Sequence, residues 1–468
     1  MARETMNNGH TMAPPNASPS QPSESGSARC GVTRSPLSTI VVLAFALLGA
    51  ALLATLGLRD FAFTDYEAEA KPSIDLLLGG DVGGFLSTLP GYAGAVVLQA
   101  PFAVVGEHLG RDHDLWAWRA QALPGLLLLV GLGILLGRRV AVAVGGRRGT
   151  GWGALTALMT SGAPFALLAL QTGHAEEALV GGLAVAAVLL ASRGNLVTAG
   201  VLVGVAAVAK PWAVIAIPVV LLAAEDRRQL LRVAVACVVA GALLASPTFF
   251  AGGVEHATGV AHTSTSGIFK PDNVFWFAGH TNPDWSSVSK EQTSTLFETD
   301  AAQAGWAQRL EPAWAAKVSH PLIVAFAFAV ALAFWRRRGR QEGRADLLLL
   351  LSAVCWWRCL LDTWNVHYYA LAALLALGAW EAWRGRPPVA AAVVTAVAWV
   401  TFQLFPASTI TPDIHTALYL AWGLPLGVGM LWRLLAPASA GRATARMARP
   451  LHARLPSLSR WVAPPVPN

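Results

Sequence analysis

Residues 37–58 read LSTIVVLAFALLGAALLATLGL, a run of 22 residues without a charged side chain. A helix of this length crosses about 30 Å of hydrocarbon. The run is longer than the apolar core of a secretory signal peptide, which has about 7 to 15 residues, and no clear small-residue cleavage site follows it. We therefore expect these residues to form a retained first membrane span.

The composition of the whole chain agrees with that first run. Only 13% of the 468 residues are charged, against about 25% in soluble domains, and the mean hydropathy is +0.50. An ordinary soluble enzyme is excluded, and an all-α, polytopic membrane helical bundle is predicted. The net charge of +7 is not gathered on one basic face, so we expect the lipid bilayer as a partner and no nucleic acid.

Further apolar runs predict the remaining spans. They cover residues 115–136, 151–170, 175–192, 196–209, 211–224, 233–252, 321–335, 347–361, 366–383, 389–405 and 416–432. The runs 196–209 and 211–224 are short, and Lys210-Pro211 separates them. Because proline interrupts a helix, we expect a hairpin of two short helices that turns near Lys210.

The charges between the spans predict the topology. Arginines cluster at 138–148, 193, 227–232, 336–344 and 384–386, whereas most carboxylates lie in the alternate loops. The positive-inside rule then gives about twelve membrane helices in the cell membrane, with both termini cytoplasmic. The apolar segment 91–109 would break this alternation if it spanned, so we expect a juxtamembrane helix along the outer leaflet.

Three domains follow from this map. Residues 1–36, rich in Pro, Ser, Asn and Gly, form a disordered cytoplasmic tail, and residues 435–468 form a basic cytoplasmic tail. The membrane domain is 37–434, with outer loops at 59–114 and 254–320. No glycine-rich phosphate motif follows a strand, so a cytosolic nucleotide donor is not expected. The four cysteines lack metal-ligand spacing, and we expect no metal and no other cofactor.

The first outer loop contains the stretch FTDYEAEA, with Asp65, Tyr66, Glu67 and Glu69. A carboxylate just beyond a membrane helix can lie in a partly desolvated cleft, where its pKa approaches that of a general base. A solvated acidic loop is the alternative. The turn QTGHAEEA adds His174 and Glu177, which either contact substrate or merely begin a helix.

Three cations lie within or beside apolar runs, namely Lys210, Arg119 and Arg358. A buried cation in a membrane segment requires water, an anion or a partner. We expect a contact with a lipid-linked phosphate, and the alternative is that these side chains reach the outer headgroups.

The stretch LDTWNVHYY contains a dense set of hydrogen-bonding groups between two spans. Asp362, Trp364, Asn365 and His367 predict a polar site there, although aromatic residues also belong at membrane interfaces. Trp276, in the large outer loop, either stacks on a sugar or anchors the loop to the headgroups.

Five motifs together resemble the C-type (GT-C) membrane glycosyltransferases: FTDYEAEA, LQAPFAVVG, GHAEEAL, AVAKPW and LDTWNVHYY. The chain is most similar to glycosyltransferase family 87 and related actinobacterial membrane proteins, over roughly residues 37–432. The resemblance implies inverting transfer of a sugar, typically mannose, from a polyprenyl-phosphate donor to a glycolipid or polysaccharide acceptor outside the membrane.

The resemblance also implies roles for individual residues. Asp65 is the position that matches the general base. Some C-type families have paired acids, whereas this chain has Asp65, Glu67 and Glu69 at alternate positions. Glu67 is our candidate for the second catalytic carboxylate. Donor phosphate binding is expected from Lys210, His367, Arg358 and Arg119, and substrate binding from Tyr66, Glu69, His174, Glu177, Asp362, Trp364, Asn365 and Trp276.

Two other functions remain open at this stage. A lipid-linked saccharide transporter would place ionisable groups near the membrane midplane and often shows two repeated halves. Here the charges lie near the outer ends of the spans and no repeat is evident, which favours an enzyme. A non-catalytic membrane protein of envelope assembly is the third possibility.

Overall fold

The computed structural model describes residues 36–62, 64–263, 269–282, 308–337, 344–404 and 410–437. Nearly all of these residues are helical, which confirms the predicted all-α class. The two predicted cytoplasmic tails lie almost entirely outside the described residues, and so do residues 264–268 and 283–307 of the large outer loop.

The α-helices of the described residues follow one another along the chain. They are α1 Pro36–Gly57, α2 Lys71–Leu78, α3 Val82–Ser87, α4 Ala93–Glu107, α5 His113–Gln121, α6 Leu123–Val144, α7 Gly146–Ser161, α8 Pro164–Gln171, α9 Ala175–Ser192, α10 Leu196–Ala209, α11 Ala216–Leu221, α12 Arg227–Thr263, α13 Ala313–Arg337, α14 Leu347–Leu361, α15 Ala370–Trp383, α16 Val389–Trp399 and α17 Pro412–Leu435.

Shorter elements join them. Single π-helical turns cover Tyr66–Ala70 and Val400–Leu404, and 3₁₀ turns cover Pro211–Ile215, Trp276–Ala278, Arg344–Asp346 and His367–Tyr369. The strands are β1 His280–Thr281 and β2 Arg309–Leu310, which pair antiparallel with His280 opposite Leu310.

Among the described residues, seven helices are long and apolar enough to cross a membrane. They are Pro36–Gly57, His113–Val144, Gly146–Gln171, Ala175–Ser192, Arg227–Ala251, Ala313–Arg337 and Pro412–Leu435. Each coincides with a span expected from the sequence. The other five expected spans are also helical but shorter, so the count of about twelve stays a prediction.

Two helices occupy the centre of the bundle. Helix α9 is the most buried of the seven long spans, and nearly every residue of α14 is buried. Small residues allow close packing elsewhere: a Cβ atom at Gly137 would lie 2.6 Å from the Gly153 carbonyl oxygen, so α6 and α7 touch through their backbones. The start of α9 and the end of α14 both lie at the candidate site.

The structure refines two boundaries. The sequence ends a span at residue 252 and begins an outer loop at residue 254, but α12 continues to Thr263. Its last turns are polar yet contain no second proline after Pro247, so the loss of hydrophobicity does not end the helix. The juxtamembrane segment expected at 91–109 is the helix α4.

The break expected at Lys210 is present. Helix α10 ends at Ala209, and Lys210 has an extended backbone, with φ −149° and ψ 123°. Pro211 then begins a 3₁₀ turn. This interruption places the Lys210 side chain among carboxylates of α9.

Candidate active site

Asp65 lies in the segment that follows the first membrane span. It immediately precedes the π-helical turn Tyr66–Ala70, and such turns are frequent at functional sites. Its backbone N–H donates to the Thr172 carbonyl oxygen at 3.1 Å. The segment is thereby fixed against the turn between α8 and α9, and 47% of the Asp65 side chain stays exposed.

His174 contacts Asp65 from the other side of that turn. The Nε2 atom of His174 lies 2.8 Å from Oδ2 of Asp65. Gly173 permits the approach because it has φ +91°, and a Cβ atom there would lie 2.4 Å from the Tyr66 backbone nitrogen. His174 itself is buried, so the half-exposed carboxylate of Asp65 contacts a buried ring.

The contact continues into the bundle. The Nδ1 atom of His174 lies 2.7 Å from Oε1 of Glu176. Lys210 donates to the same oxygen at 2.5 Å, and its ammonium lies 2.9 Å from Oε1 of Glu177. We call Asp65, His174, Glu176, Lys210 and Glu177 the charge chain, since anionic and cationic groups alternate along it.

Hydrogen bonding defines the charge of His174. Both ring nitrogens face carboxylate oxygens, which accept hydrogen bonds only, so both nitrogens must donate and the ring is an imidazolium. Burial lowers the pKa of His174, but the charge of Glu176 and the hydrogen bonds to both carboxylates outweigh it and raise the pKa to about 9. For Asp65, burial raises the pKa of the carboxyl group. The hydrogen bond and charge of His174 outweigh burial and lower this pKa below its ordinary value.

Lys270 is a site residue that the sequence reasoning missed. Its backbone N–H donates to the Thr363 carbonyl oxygen at 3.1 Å, and its ammonium lies 4.6 Å from the ring centroid of Trp364. Burial lowers the pKa of Lys270 to about 8, although the charges of Asp65 and Asp362 oppose that shift. Lys270 therefore lies within electrostatic reach of both carboxylates. The sequence signal for this residue is a lysine inside the aromatic stretch FKPDNVFWF.

Asp362 and Arg358 lie at the end of α14. The Asp362 carboxylate accepts the Trp364 backbone N–H at 3.0 Å, and Nε2 of His320 is 3.6 Å from it. Nε of Arg358 lies 3.8 Å from the same carboxylate. The Arg358 guanidinium packs 3.7 Å from the Tyr369 ring centroid, so this buried cation is held by aromatic faces as well as by an anion.

Asn365 and His367 contact the segment that contains Lys270. Nδ2 of Asn365 donates to the Asp272 carbonyl oxygen at 2.7 Å, and Nε2 of His367 lies 3.6 Å from the Asp272 carboxylate. Asp272 has φ +70°, which is uncommon outside glycine. Its carboxylate also lies 2.7 Å from Nδ1 of His415. These bonds fix the backbone that presents Lys270.

The remaining predicted residues surround this centre less directly. Glu67 and Glu69 are both exposed, and the Glu69 carboxyl lies beside the hydroxyl of Tyr92. The Tyr66 hydroxyl accepts from Gln121 at 2.9 Å inside the core. Arg119 donates to the Leu58 carbonyl oxygen at 3.0 Å and so supports the end of the first span.

Trp276 is fully buried in the structure. Its indole N–H donates to Asp413 at 2.7 Å, and Arg309 donates to both oxygens of the same carboxylate at 2.8 Å. These contacts tie β2 to the start of α17. No face of the Trp276 ring is open to a sugar in this arrangement.

The arrangement suits acid–base chemistry on an anionic substrate. It combines a half-exposed carboxylate, a buried cation that faces it, and aromatic rings beside both. Within the described ranges, no group of three or more His, Cys, Asp or Glu side chains could hold a metal ion.

Comparison with known proteins identifies one family. The model of glycosyltransferase family 87 matches residues 93–363, more than half of the chain. A search of curated proteins finds no significant match. The matched segment contains His174, Lys210, Lys270 and Asp362, and it begins after Asp65.

Proposed function

This chain belongs to glycosyltransferase family 87, and from that premise we propose that it transfers a sugar, mannose as the first candidate, from a polyprenyl-phosphate donor to a glycolipid or polysaccharide acceptor. The protein is a multi-pass membrane glycosyltransferase. Family membership favours this activity over a transporter and over a non-catalytic role. The donor, the acceptor and the outward orientation are parts of the proposal.

The observation that carries the proposal is the state of Asp65. His174 occupies Oδ2 of the carboxylate, and Oδ1 makes no hydrogen bond to any residue that the structure describes. With 47% of the side chain exposed, that oxygen can receive an acceptor hydroxyl. A general base requires such hydrogen-bond reach to the proton that it removes.

The reaction would balance in one displacement. The acceptor oxygen attacks the anomeric carbon while Asp65 takes its proton, and the bond from that carbon to the phosphate oxygen breaks. The electron pair of this bond leaves with polyprenyl phosphate, and the configuration at the anomeric carbon is inverted. The phosphate gains one negative charge in this step, so a fixed cation beside it would stabilise the transition state.

We assign that cation to Lys270 in the first instance. Lys270 is buried, its ammonium lies 4.6 Å from the Trp364 ring centroid, and it is within electrostatic reach of Asp65, so a phosphate bound by this ammonium would lie near the proposed base. Lys210 and Arg358, expected from the sequence to bind phosphate, are already packed against Glu176 and Tyr369, respectively. His367 lies against Asp272 and could contribute from the neighbouring segment.

The test uses purified protein in detergent with radiolabelled polyprenyl-phosphate mannose and a membrane glycolipid extract. Wild type should form a labelled glycolipid, and Asp65→Asn should lower the rate by about 10²- to 10⁴-fold, the usual contribution of a general base. Asp60→Asn is the matched control, since Asp60 is exposed and only accepts backbone N–H groups. Equal rates for wild type and Asp65→Asn would refute Asp65 as the base. Absence of transfer by wild type, while a nucleotide sugar is accepted, would refute the donor.

A further inference from the structure

We propose that His174 is a positioning residue for Asp65, whose imidazolium fixes one carboxylate oxygen and keeps the base ionised while an anionic donor is bound. This inference rests on the proposed function, because it assigns Asp65 the role of base. The role would be separate from any contact with substrate, since His174 itself is buried.

The first support is geometric. His174 is bonded at both nitrogens, at 2.8 Å to Asp65 and at 2.7 Å to Glu176. Its ring also lies 5.0 Å from the ring of Tyr368, centroid to centroid. A ring held in this way cannot rotate without losing two charged hydrogen bonds. The Asp65 carboxylate is therefore held through Oδ2 against the buried ring, and Oδ1 takes no part in this contact.

The second support is the set of charges that face Asp65. His174 and Lys270 are the cations, and Glu176 is an anion that opposes them. Glu69, Tyr92 and Tyr368 also lie within electrostatic reach of Asp65. Among these groups, His174 contacts the carboxylate directly, with Nε2 2.8 Å from Oδ2 of Asp65.

The third support is the far end of the charge chain. Lys210 binds Glu176 and Glu177 together, so the glutamate that holds His174 is itself neutralised. The ammonium also lies 4.9 Å from the ring centroid of Tyr92. Lys210 therefore acts as the counter-ion that allows a buried carboxylate to hold the imidazolium. In this assignment it does not contact the donor phosphate.

An anionic donor makes the charge of His174 necessary. A sugar linked through a phosphodiester carries one negative charge, and a like charge close to a carboxylate raises its pKa. Without a compensating cation, binding of the donor would favour protonation of the base that the reaction requires. His174 opposes this effect from the buried side, where it cannot compete with substrate for the exposed oxygen.

The experiment measures the pH dependence of kcat and kcat/KM for wild type, His174→Gln and His108→Gln. Glutamine can still donate to Asp65 but carries no charge, and His108 is an exposed histidine of the same outer region. The fall in activity at low pH, which we call the acidic limb of the profile, reports the protonation of Asp65. We expect it below 3.8 in wild type and in His108→Gln, and higher by about 1 to 3 units in His174→Gln. The shift should be at least as large in kcat as in kcat/KM, because kcat reports the donor complex.

A second readout requires no catalysis. A water-soluble carbodiimide modifies protonated carboxyl groups, and mass spectrometry measures the fraction of Asp65 modified at each pH. In His174→Gln the modification should begin at higher pH than in wild type. His174→Asn replaces His174→Gln if the latter does not fold, and the position of the wild-type limb below 3.8 tests the proposal without any variant.

The outcomes separate the two claims. A lower rate in His174→Gln with an unmoved acidic limb and unmoved modification profile would overturn the inference and leave the transferase proposal intact. A wild-type limb well above 3.8 would also overturn it. If wild type transfers no sugar from a lipid-linked donor, the proposed function fails, and the modification profile still decides whether His174 keeps Asp65 ionised.

Discussion

The imidazole of His174 and the carboxylate of Asp65 form a 2.8 Å contact between residues that are 109 positions apart in the chain. The contact joins the loop after the first span to the start of the most buried long span, α9. It also joins Asp65, which lies outside the segment that matches the family model, to His174 inside that segment. The proposed chemistry therefore depends on how accurately these two turns are held together.

Lys270 should impose the basic limit on activity. Its pKa is lowered to about 8 by burial, so the ammonium is charged below that pH and loses its charge as the pH rises through it. We expect kcat to fall above pH 8 and Lys270→Met to lower kcat by about 10²- to 10³-fold, as for loss of one transition-state donor.

The variant Lys270→Arg distinguishes the effect of the positive charge at position 270 from that of the lysine's shape. Arginine stays protonated at every accessible pH, so this variant should retain part of the activity and lose the basic limb. Lys317→Met, at an exposed lysine of α13, is the control and should behave as wild type. A basic limb that persists in Lys270→Arg would show that another group causes it.

Glu69 and Glu67 compete for the role of second carboxylate. Both glutamates are exposed, but Glu69 lies within electrostatic reach of Asp65 and His174 and beside Tyr92. We expect Glu69→Gln to lower the transfer rate by about tenfold, equivalent to 1.4 kcal/mol, and Glu67→Gln to change it less. The two variants are compared at saturating donor. A larger loss in Glu67→Gln would restore the assignment made from the sequence.

The fold was largely predictable because hydropathy and charge act over long stretches. The apolar runs predicted about twelve spans, and seven of these are long apolar helices in the described part of the chain. Boundaries were less accessible: α12 extends to Thr263, beyond the point where the hydrophobicity of the sequence falls. Hydropathy indicates which residues can lie in the membrane. The end of a helix is set instead by where its backbone hydrogen bonds stop.

The sequence selects several of the residues that the structure brings together, but it does not predict their pairings. Residue type and position select Asp65, His174, Lys210 and Asp362, since ionisable groups within or beside membrane spans are costly and usually functional. Which partner each would take depends on the crossing of α9 with the break at Lys210, and no local pattern encodes that crossing. Lys270 has a local signal, since it is a lysine inside an aromatic stretch, but tertiary packing brings Asp65 and Asp362 within its electrostatic reach.

Lys210→Met should destabilise the fold. Its ammonium pairs with Glu176 and Glu177, which are both buried. Removal of one partner from a buried ion pair costs about 3 to 5 kcal/mol, because the remaining charge stays buried without compensation. Thermal unfolding in detergent should show a clearly lower midpoint.

Two further variants make the stability test specific. Lys71→Met removes a lysine that pairs with the exposed carboxylates of Asp75 and Asp114, where a pair contributes about 0 to 1 kcal/mol. The double variant Lys210→Met/Glu177→Gln should recover part of the loss, since one unpaired buried charge is removed. Equal effects of Lys210→Met and Lys71→Met would contradict the charge chain.

Gly173→Ala should uncouple His174 from Asp65. Alanine at φ +91° is strained, and its Cβ would lie 2.4 Å from the Tyr66 nitrogen, so the turn must move away from the Asp65 segment. Gly194→Ala is the matched control, because Gly194 has φ +84° but no atom within 4 Å of its Cβ position. Both variants should lose about 1 to 2 kcal/mol of stability from the left-handed backbone. Only Gly173→Ala should also lower sugar transfer and raise the acidic limb of its pH profile, since only there does the added methyl group separate the base from its imidazolium. Loss of transfer in both variants, in proportion to their unfolding midpoints, would mean that stability alone accounts for the effect.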